Sequence, residues 1–256
     1  MPRLSVILPV YNGAATLARA LQSIADQSHP ADEVVVINDG STDTTAEVIA
    51  AWADRLPLAV IENDPNMGLI RSLQRGTAIA TGDHFVRLDA DDVWRPDHLA
   101  HLVALKRRAP EAVLLAGRAE LRREDGSVLG KSAAPSDEDV RAQMMWDNPL
   151  VHSAVAMEAA AYRSVGGYTG PRFAEDYDLW IRLLRHGSFA CTDKVSVTYI
   201  VSDTSVSRIN RQKALGIRLA LQRRALRAFA RRHPARALRT LPLVLARQCA
   251  NRLGIA

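Results

Sequence analysis

Over its first ninety residues the chain alternates short apolar runs with segments of helical periodicity, and this pattern restricts the fold more than any other feature. Strands that are apolar almost throughout are typical of a parallel sheet with helices on both faces, joined by right-handed crossovers. We therefore predict an α/β fold with a mostly parallel central sheet flanked by helices. The predicted strands are Leu4–Val10, Val34–Ile37, Leu58–Ile61 and Phe85–Leu88, and the predicted helices are Thr16–Gln27, Thr44–Trp52 and Leu69–Ala80.

After Pro96 the alternation becomes less regular. The pattern predicts one fused α/β domain over residues 1–207, with halves at 1–95 and 96–207, followed by a basic helical extension at 208–256. The elements predicted in the second half are a helix at Asp97–Arg108, a hairpin of Ala112–Arg122 with Ser127–Lys131, and strands at Val151–Met157 and Val195–Val201.

Composition excludes several classes of protein. The 256 residues are 48% hydrophobic, enough for a sizeable core, and contain no long uncharged apolar run that would predict a transmembrane helix. The N-terminal segment lacks the charged region and cleavage site of a signal peptide. Cys191 and Cys249 have no metal-binding or redox spacing. We expect cytoplasmic residence.

The net charge of +5 is unevenly distributed. Residues 208–256 carry 13 lysines and arginines and no acidic residue, whereas residues 1–207 carry 20 basic and 28 acidic residues. A helix is predicted from Ala214 to Ala230. It has Leu215, Leu219, Leu226 and Phe229 near one side, Arg218 interrupting that side, and Arg223, Arg224, Arg227 and Arg231 opposite.

This basic tail has two interpretations. Basic amphipathic helices bind anionic membrane surfaces, which would make the protein peripheral at the inner face of a membrane. Alternatively, the helix packs on the acidic body and its arginines pair with surplus carboxylates. We expect no nucleic-acid partner.

Polar groups follow three of the predicted strands. They are Pro9–Gly13 after the first, Asn38–Asp43 after the second and Asp89–Asp92 after the fourth. Ligands of open parallel sheets bind beyond the carboxyl ends of the strands, so these groups predict a site at one edge. Each group alone is also typical of a turn or a helix cap. The carboxylates of Asp89–Asp92 favour Mg²⁺ or Mn²⁺ bound together with substrate phosphates.

A second acidic group lies at Glu175 and Asp176. Tyr177, Trp180 and Ile181 follow at helical spacing, so a buried helix is predicted to begin here. The positive end of a helix would hold Asp176 ionised on rigid backbone, as a general base requires. The alternative is an ordinary acidic first turn.

Five segments in this order resemble the family 2 glycosyltransferases of GT-A fold. They are Ser5–Asn12, Asn38–Asp43, Asn66–Leu69, Arg87–Asp92 and Glu175–Trp180, and Gly166-Gly167-Tyr168 also fits. The resemblance covers about residues 3–208. It implies an inverting, hexosyltransferase-type enzyme that uses a nucleotide-diphosphate sugar, with a UDP-sugar favoured, and a glycan or lipid-linked acceptor.

The resemblance also implies roles for single residues. Tyr11, beside Pro9, would pack against the base, and Asp39 would accept a hydrogen bond from it. Asp89 would lie near the ribose or sugar, and Asp91 would hold Mn²⁺ or Mg²⁺ on the diphosphate. Asp176 would be the general base, supported by Glu175. Gly68 and Arg71 would belong to the donor site, Arg71 in a weak diphosphate role.

The chain departs from the family pattern in two places. Ser72-Leu73-Gln74 replaces a common Ala-Arg-Asn, and Ile200 and Ser202 stand where relatives often have Arg and His. Two replacements for that His are open: Asp203 as an oxygen ligand, or water on the metal. His152 matches a common histidine and is interpreted either as lining the acceptor side or as a structural residue.

Two other functions are considered. The missing Arg and His favour a non-catalytic or differently catalytic nucleotide-binding protein of the same fold. Leu88–Val93 also resembles the nucleophile loop of haloacid-dehalogenase-type phosphatases, although that loop normally follows the first strand.

Overall fold

The computed structural model describes residues 2–133, 136, 139–202, 211–232, 242, 245 and 246, which form one mixed α/β structure. The strands are β1 (Leu4–Val10), β2 (Glu33–Asn38), β3 (Leu58–Glu62), β4 (His84–Arg87), β5 (Val93–Trp94), β6 (Ala112–Arg123), β7 (Val128–Lys131), β8 (Val155–Glu158) and β9 (Ser188–Val201). The helices are α1 (Ala14–Ala25), α2 (Thr45–Ala50), α3 (Leu69–Ile79), α4 (His98–Arg108), α5 (Asp139–Gln143), α6 (Ala159–Ser164), α7 (Glu175–Leu183) and α8 (Arg211–Arg232), with a 3₁₀ helix at His152–Ala154.

The strands form a nine-stranded sheet in the order β3-β2-β1-β4-β8-β6-β9-β5, with β7 paired to β6. The four strands predicted from the first ninety residues are parallel neighbours, as expected. The other half is mixed, because β8 runs antiparallel to both β4 and β6 while β6 and β9 are parallel. Since β1 lies between β2 and β4, the polar groups that follow these three strands meet at one edge.

Helices cover the sheet through apolar faces that the sequence pattern predicts. Helix α1 buries Leu17, Leu21 and Ile24. Helix α7 buries Tyr177, Trp180 and Ile181, and the indole of Trp180 is fully enclosed. Burying a large apolar side chain stabilises the fold by about 1.5–3 kcal/mol, so α7 is anchored firmly enough to give its first turn a fixed position.

Several second-half elements differ from the prediction. The strand predicted at Val151–Met157 begins only at Val155, because His152–Ala154 form a 3₁₀ turn. Strand β9 begins at Ser188 rather than Val195, because pairing with β6 extends it through polar residues. Helices α5 and α6 have five and six residues and were not predicted, since a period of 3.6 is not visible over so few residues.

The basic tail packs on the body along α8. Leu221, Ala225 and Phe229 are buried, so the buried face shares Phe229 with the predicted apolar face but is rotated about the helix axis relative to it. Leu215 and Leu219 of the predicted face are only half-buried. Arg224 pairs with Asp178 of α7, which is the packing alternative considered for this tail. Asp203 lies outside the described residues, and so does most of the predicted segment Leu241–Leu253. No described helix is long and apolar enough to cross a bilayer.

Candidate active site

A cleft of about 520 Å³ opens beyond the carboxyl ends of β1 and β2. Tyr11, the turn after β2 and the loop 62–66 line it. The Tyr11 side chain is 52% exposed, so one face of its ring is free to stack on a planar group. Pro9, by contrast, is buried inside β1. A cleft of this size suits a small-molecule ligand.

Asp39 lies next to this cleft and holds the loop that forms one of its walls. One carboxylate oxygen accepts hydrogen bonds from Asn63 Nδ2 at 2.7 Å and the Met67 amide at 2.9 Å, and the other accepts the Gly68 amide at 2.8 Å. Burial opposes its ionisation, but these hydrogen bonds outweigh burial and lower the pKa of Asp39. Asp39 is 4% exposed and does not line the cleft, so its most evident contacts hold the loop 63–68.

Gly68 and Arg71 form the start of α3. Gly68 has a φ of +83°, a left-handed conformation that favours glycine, and this turn aims its amide at Asp39. Arg71 lies in the first helical turn and is exposed. Within the described part of the chain its guanidinium has no ion-pair partner, so it is available to an anionic ligand.

Asp89 is held in place by a buried cation. The fully buried Arg87 donates to Asp89 Oδ1, and Ser153 Oγ lies 3.2 Å from Asp89 Oδ2. The Ser153 hydroxyl also accepts the Asp89 amide at 3.0 Å. Burial would raise the pKa of Asp89, but the Arg87 charge overrides it and keeps the pKa below its ordinary value. Asp89 is therefore an oriented, ionised acceptor.

Asp91 and Asp92 differ in what they can bind. Asp92 is buried and accepts Ser153 Oγ and the Ile200 amide, so its oxygens are occupied. Asp91 is exposed at the protein surface, but the surrounding protein atoms still partly desolvate its carboxyl group. This desolvation and the nearby Asp89 charge raise the pKa of Asp91 to about 6. A carboxylate crowded by another acid is stabilised by a cation.

The donor set fits a divalent metal that completes its shell with substrate. Among the described residues, no group of three or more His, Cys, Asp or Glu side chains could hold a metal ion. Mg²⁺ and similar hard cations are usually bound by one or two carboxylates plus phosphate oxygens and water. Asp91 supplies one such ligand.

Glu175 and Asp176 occupy the first turn of α7, as predicted. Phe173 just before them has a φ of +73°, which is uncommon for a bulky residue and marks a constrained entry to the helix. Burial and the Asp176 charge raise the pKa of Glu175 to about 7.

Burial of Asp176 opposes the effect expected of the helix terminus. Burial raises the pKa of Asp176, and the hydrogen bonds from the Tyr177 amide and Asn148 only partly offset that. A carboxylate with a raised pKa is a stronger base, which suits proton abstraction.

His152 lies between the two acidic groups and serves as packing. Its Nε2 is 2.7 Å from the Tyr168 hydroxyl, and its ring contacts Trp180 edge-on at a centroid distance of 5.9 Å. Burial and the Arg87 charge lower the pKa of His152 to about 3, so the ring is neutral. These contacts support the structural interpretation of this histidine.

Asp89 lies close enough to the second acidic group, as well as to Asp91, for its charge to matter there. The Asp89 charge acts on both Glu175 and Asp176. Three supporting residues were not predicted: Arg87, Ser153 and Asn148. An arginine within an apolar strand was a visible signal for Arg87, whereas no local pattern marks Ser153 or Asn148 as a contact of a distant acid.

Comparison with known proteins identifies the family. The sequence profile of Glycosyl transferase family 2 matches residues 5–157. This chain belongs to that family. It is 35% identical to EpsE of Bacillus subtilis, named as a glycosyltransferase, over 73% of this chain and 68% of EpsE. It is 27% identical to the UDP-Gal:alpha-D-GlcNAc-diphosphoundecaprenol beta-1,3-galactosyltransferase of Escherichia coli, over 86% of this chain and 80% of that enzyme.

Solved structures agree on the fold. S. aureus TarS in complex with UDP-GlcNAc superposes with a TM-score of 0.69 at 18% identity, over 90% of this chain and 71% of TarS. The mannosyltransferase PcManGT from Pyrobaculum calidifontis, in complex with GDP-Man and Mn²⁺, has a TM-score of 0.67 at 22% identity, over 99% of this chain and 83% of that chain. The family 2 glycosyltransferase therefore has the GT-A fold, and the phosphatase interpretation no longer applies.

Proposed function

We propose that this glycosyltransferase moves a hexose from a nucleotide-diphosphate sugar to a hydroxyl group of a glycan or lipid-linked acceptor, with inversion at the anomeric carbon. The observation that carries the proposal is the meeting of Asp89 and Asp91, at the end of β4, with Asp176 at the start of α7. One group of carboxylates suits the donor and the other suits the acceptor.

The donor would lie along the sheet edge. Tyr11 would stack on the base in the cleft. Asp39 would hold the loop 63–68 in place, and a remaining lone pair of its carboxylate would accept a hydrogen bond from the base. Asp89, oriented by Arg87, would accept hydrogen bonds from the ribose or sugar hydroxyls. Arg71 and the turn at Gly68 would face the diphosphate. A UDP-sugar is favoured, since the E. coli relative is named for UDP-Gal and TarS binds UDP-GlcNAc.

A divalent cation fits this donor site. Asp91 would hold Mn²⁺ or Mg²⁺ beside the diphosphate, where such an ion neutralises the negative charge of the leaving nucleoside diphosphate. The complex of PcManGT with Mn²⁺ and GDP-Man supports a metal at the donor site of this fold.

Asp176 would be the general base. Its carboxylate would take the proton of the acceptor hydroxyl as that oxygen attacks the anomeric carbon from the face opposite the departing diphosphate. The C–O bond to the diphosphate breaks as the new glycosidic bond forms, so one displacement inverts the configuration and needs no covalent enzyme intermediate. Glu175, with a pKa of about 7, would hold a proton near neutral pH and so leave Asp176 as the ionised member of the pair.

The proposal is tested by transfer assays with purified protein and Mn²⁺. The donors are UDP-galactose, UDP-N-acetylglucosamine and GDP-mannose, and the acceptor is a GlcNAc-diphosphate-lipid. We expect product mass and nucleoside diphosphate to appear together with one donor. Asp176→Asn should bind UDP as the wild type does and lose about 10²–10⁴-fold in turnover. UDP binding without transfer by any of these pairs would favour a non-catalytic nucleotide-binding protein.

A further inference from the structure

Two hydrogen bonds fix the orientation of the Asp176 carboxylate. The Tyr177 amide donates to Oδ1 at 2.6 Å, and Asn148 Nδ2 donates to Oδ2 at 2.8 Å. The first donor is backbone and is present whatever side chains surround it. Asn148, 28 residues earlier in the chain, is therefore the side chain on which the orientation of Oδ2 depends.

The amide of Asn148 can face Asp176 in only one way. Its Oδ1 accepts the Leu150 amide at 3.3 Å, so Nδ2 must be the atom that faces Asp176. Its own backbone amide donates to Asp147 Oδ1 at 2.8 Å. These local bonds form a turn that presents the donor to the carboxylate without a further rotamer choice.

The segment that carries Asn148 is clamped between two helices. From α7, the Tyr177 hydroxyl donates to the Met144 carbonyl. From α8, Gln222 Nε2 donates to the Trp146 carbonyl at 2.6 Å, and Phe229 packs on Met145. The basic C-terminal helix thus supports the backbone two residues away from Asn148.

We propose that Asn148 is the positioning residue of Asp176, and that α8 contributes to catalysis by holding the segment of Asn148 against α7. This inference rests on the proposed function, in which Asp176 is the general base. Asn148 would direct the second lone pair of Oδ2 toward the acceptor and stabilise the ionised carboxylate by a charge-assisted hydrogen bond.

The charges around Asp176 make this donor important. Glu175 adjoins it on its own helix, and Asp89 opposes its ionisation from the end of β4. The phenols of Tyr168 and Tyr199 also lie within range of its charge. Arg218 of α8 acts in the opposite sense through its charge, but Asn148 is the side chain that donates a hydrogen bond.

The first test is a pH titration of Asp176 itself, monitored by NMR on protein that carries ¹³C-labelled aspartate. The Asp176 signal is assigned by its loss in Asp176→Asn. Asn148→Ala removes the donor without adding charge, whereas Asn148→Asp keeps an acceptor for Leu150 but replaces the donor by a carboxylate oxygen and adds a negative charge beside Asp176. We expect the titration midpoint to rise by about one pH unit in Asn148→Ala and further in Asn148→Asp. An Asn148→Ala midpoint equal to that of the wild type would overturn the proposal, because the shift in Asn148→Asp includes the effect of its added charge.

Kinetics then separate positioning from general loss of structure. UDP affinity in the presence of Mn²⁺ should be unchanged in both variants, while turnover of UDP-galactose with the GlcNAc-diphosphate-lipid falls about tenfold or more at neutral pH. The acid limb of the pH–rate profile should move to higher pH with the NMR midpoint. If Asp176→Asn keeps full turnover, the base assignment fails, yet the NMR titration still decides whether Asn148 controls Asp176.

A second pair of variants tests the contribution of α8. Gln222→Leu removes the donor to Trp146, and Arg223→Gln changes the adjacent exposed residue of the same helix. We expect Gln222→Leu to raise the Asp176 midpoint and lower turnover in the same direction as Asn148→Ala, but less. Arg223→Gln should match the wild type in the titration. Equal behaviour of the two variants would show that α8 does not support Asn148.

Discussion

Arg224 of α8 donates to Asp178 of α7 at 2.7 Å, on the oxygen opposite to the one that Arg182 occupies. Asp178 is buried and lies two residues after Asp176, so this pairing ties the C-terminal helix to the helix that begins the candidate active site. The negative charge of Asp178 is therefore balanced by two arginines. Arg182 is largely buried and needs this counter-charge, whereas Arg224 is partly exposed to water and needs it less.

The first prediction concerns the stability of this triad. Asp178→Asn should lower the free energy of unfolding by about 3 kcal/mol, because it leaves the largely buried Arg182 side chain without its counter-charge. Arg224→Met should cost only about 0.5–1 kcal/mol, since Arg224 is partly exposed and Asp178 keeps Arg182. Urea unfolding at neutral pH measures both. A larger loss in Arg224→Met than in Asp178→Asn would contradict this ranking.

The second prediction concerns Glu175 and pH. The pKa of Glu175 in the folded protein is about 7, above its ordinary value of 4.5, so the folded state binds the proton more tightly than the unfolded state. The wild type should therefore lose stability as the pH rises from about 4.5 to about 7.

Glu175→Gln removes this ionisation. The variant should be more stable than the wild type at pH 8, by up to about 3 kcal/mol, and the difference should fade toward pH 4.5. Unfolding measured at both pH values, with the exposed Glu47→Gln as a control for loss of one charge, tests it. A stability difference that does not depend on pH would contradict the predicted ionisation.

The sequence predicted the parts of this molecule that local pattern determines. The strands β1–β4 alternate with helices, of which α1 and α3 span about three turns of apolar periodicity, and α7 begins at Glu175 with Tyr177 and Trp180 buried. The polar groups after β1, β2 and β4 were placed at one edge because parallel strands share their carboxyl ends.

Contacts between distant residues could not be predicted in the same way. Asn148 and Asp176 are 28 residues apart, and Ser153 and Asp92 are 61 apart, with no spacing rule that connects either pair. The raised pKa of Asp176 could not be predicted for a related reason. The helix terminus is visible in the sequence, whereas the burial that outweighs it arises from tertiary packing.

The third prediction concerns the metal. Asp91→Asn keeps the shape of the side chain and removes the charge that a hard cation requires. We expect UDP binding to lose its dependence on Mn²⁺ while the unfolding temperature stays within a few degrees of the wild type. Calorimetric titration of UDP with and without Mn²⁺ measures this, and the exposed Asp54→Asn serves as the control.

Proton competition gives this prediction a second readout. Because the pKa of Asp91 is about 6, Mn²⁺-dependent UDP binding by the wild type should weaken as the pH falls through 6. Full Mn²⁺ dependence in Asp91→Asn would remove Asp91 from the metal site.

The fourth prediction concerns the exposed arginines of α8. The apolar residues Leu221, Ala225 and Phe229 are buried against the body, so they are not available for insertion into a bilayer. Arg218, Arg223 and Arg227 remain exposed, and a basic residue near an anionic surface contributes about 1 kcal/mol. We therefore expect any membrane association to be electrostatic rather than hydrophobic.

Vesicle co-sedimentation tests this expectation. The full chain should bind vesicles rich in phosphatidylglycerol at low salt, release them as salt is raised through about 0.2 M, and ignore neutral vesicles. Replacing Arg218, Arg223 and Arg227 by Gln should abolish binding. A control variant in which Arg107, Arg123 and Lys131 of the body are replaced by Gln loses the same charge. It should keep most of the vesicle binding, because those residues do not belong to α8. Binding that survives high salt would contradict an electrostatic mechanism. Binding that both triple variants lose equally would show that α8 is not the surface that contacts the membrane.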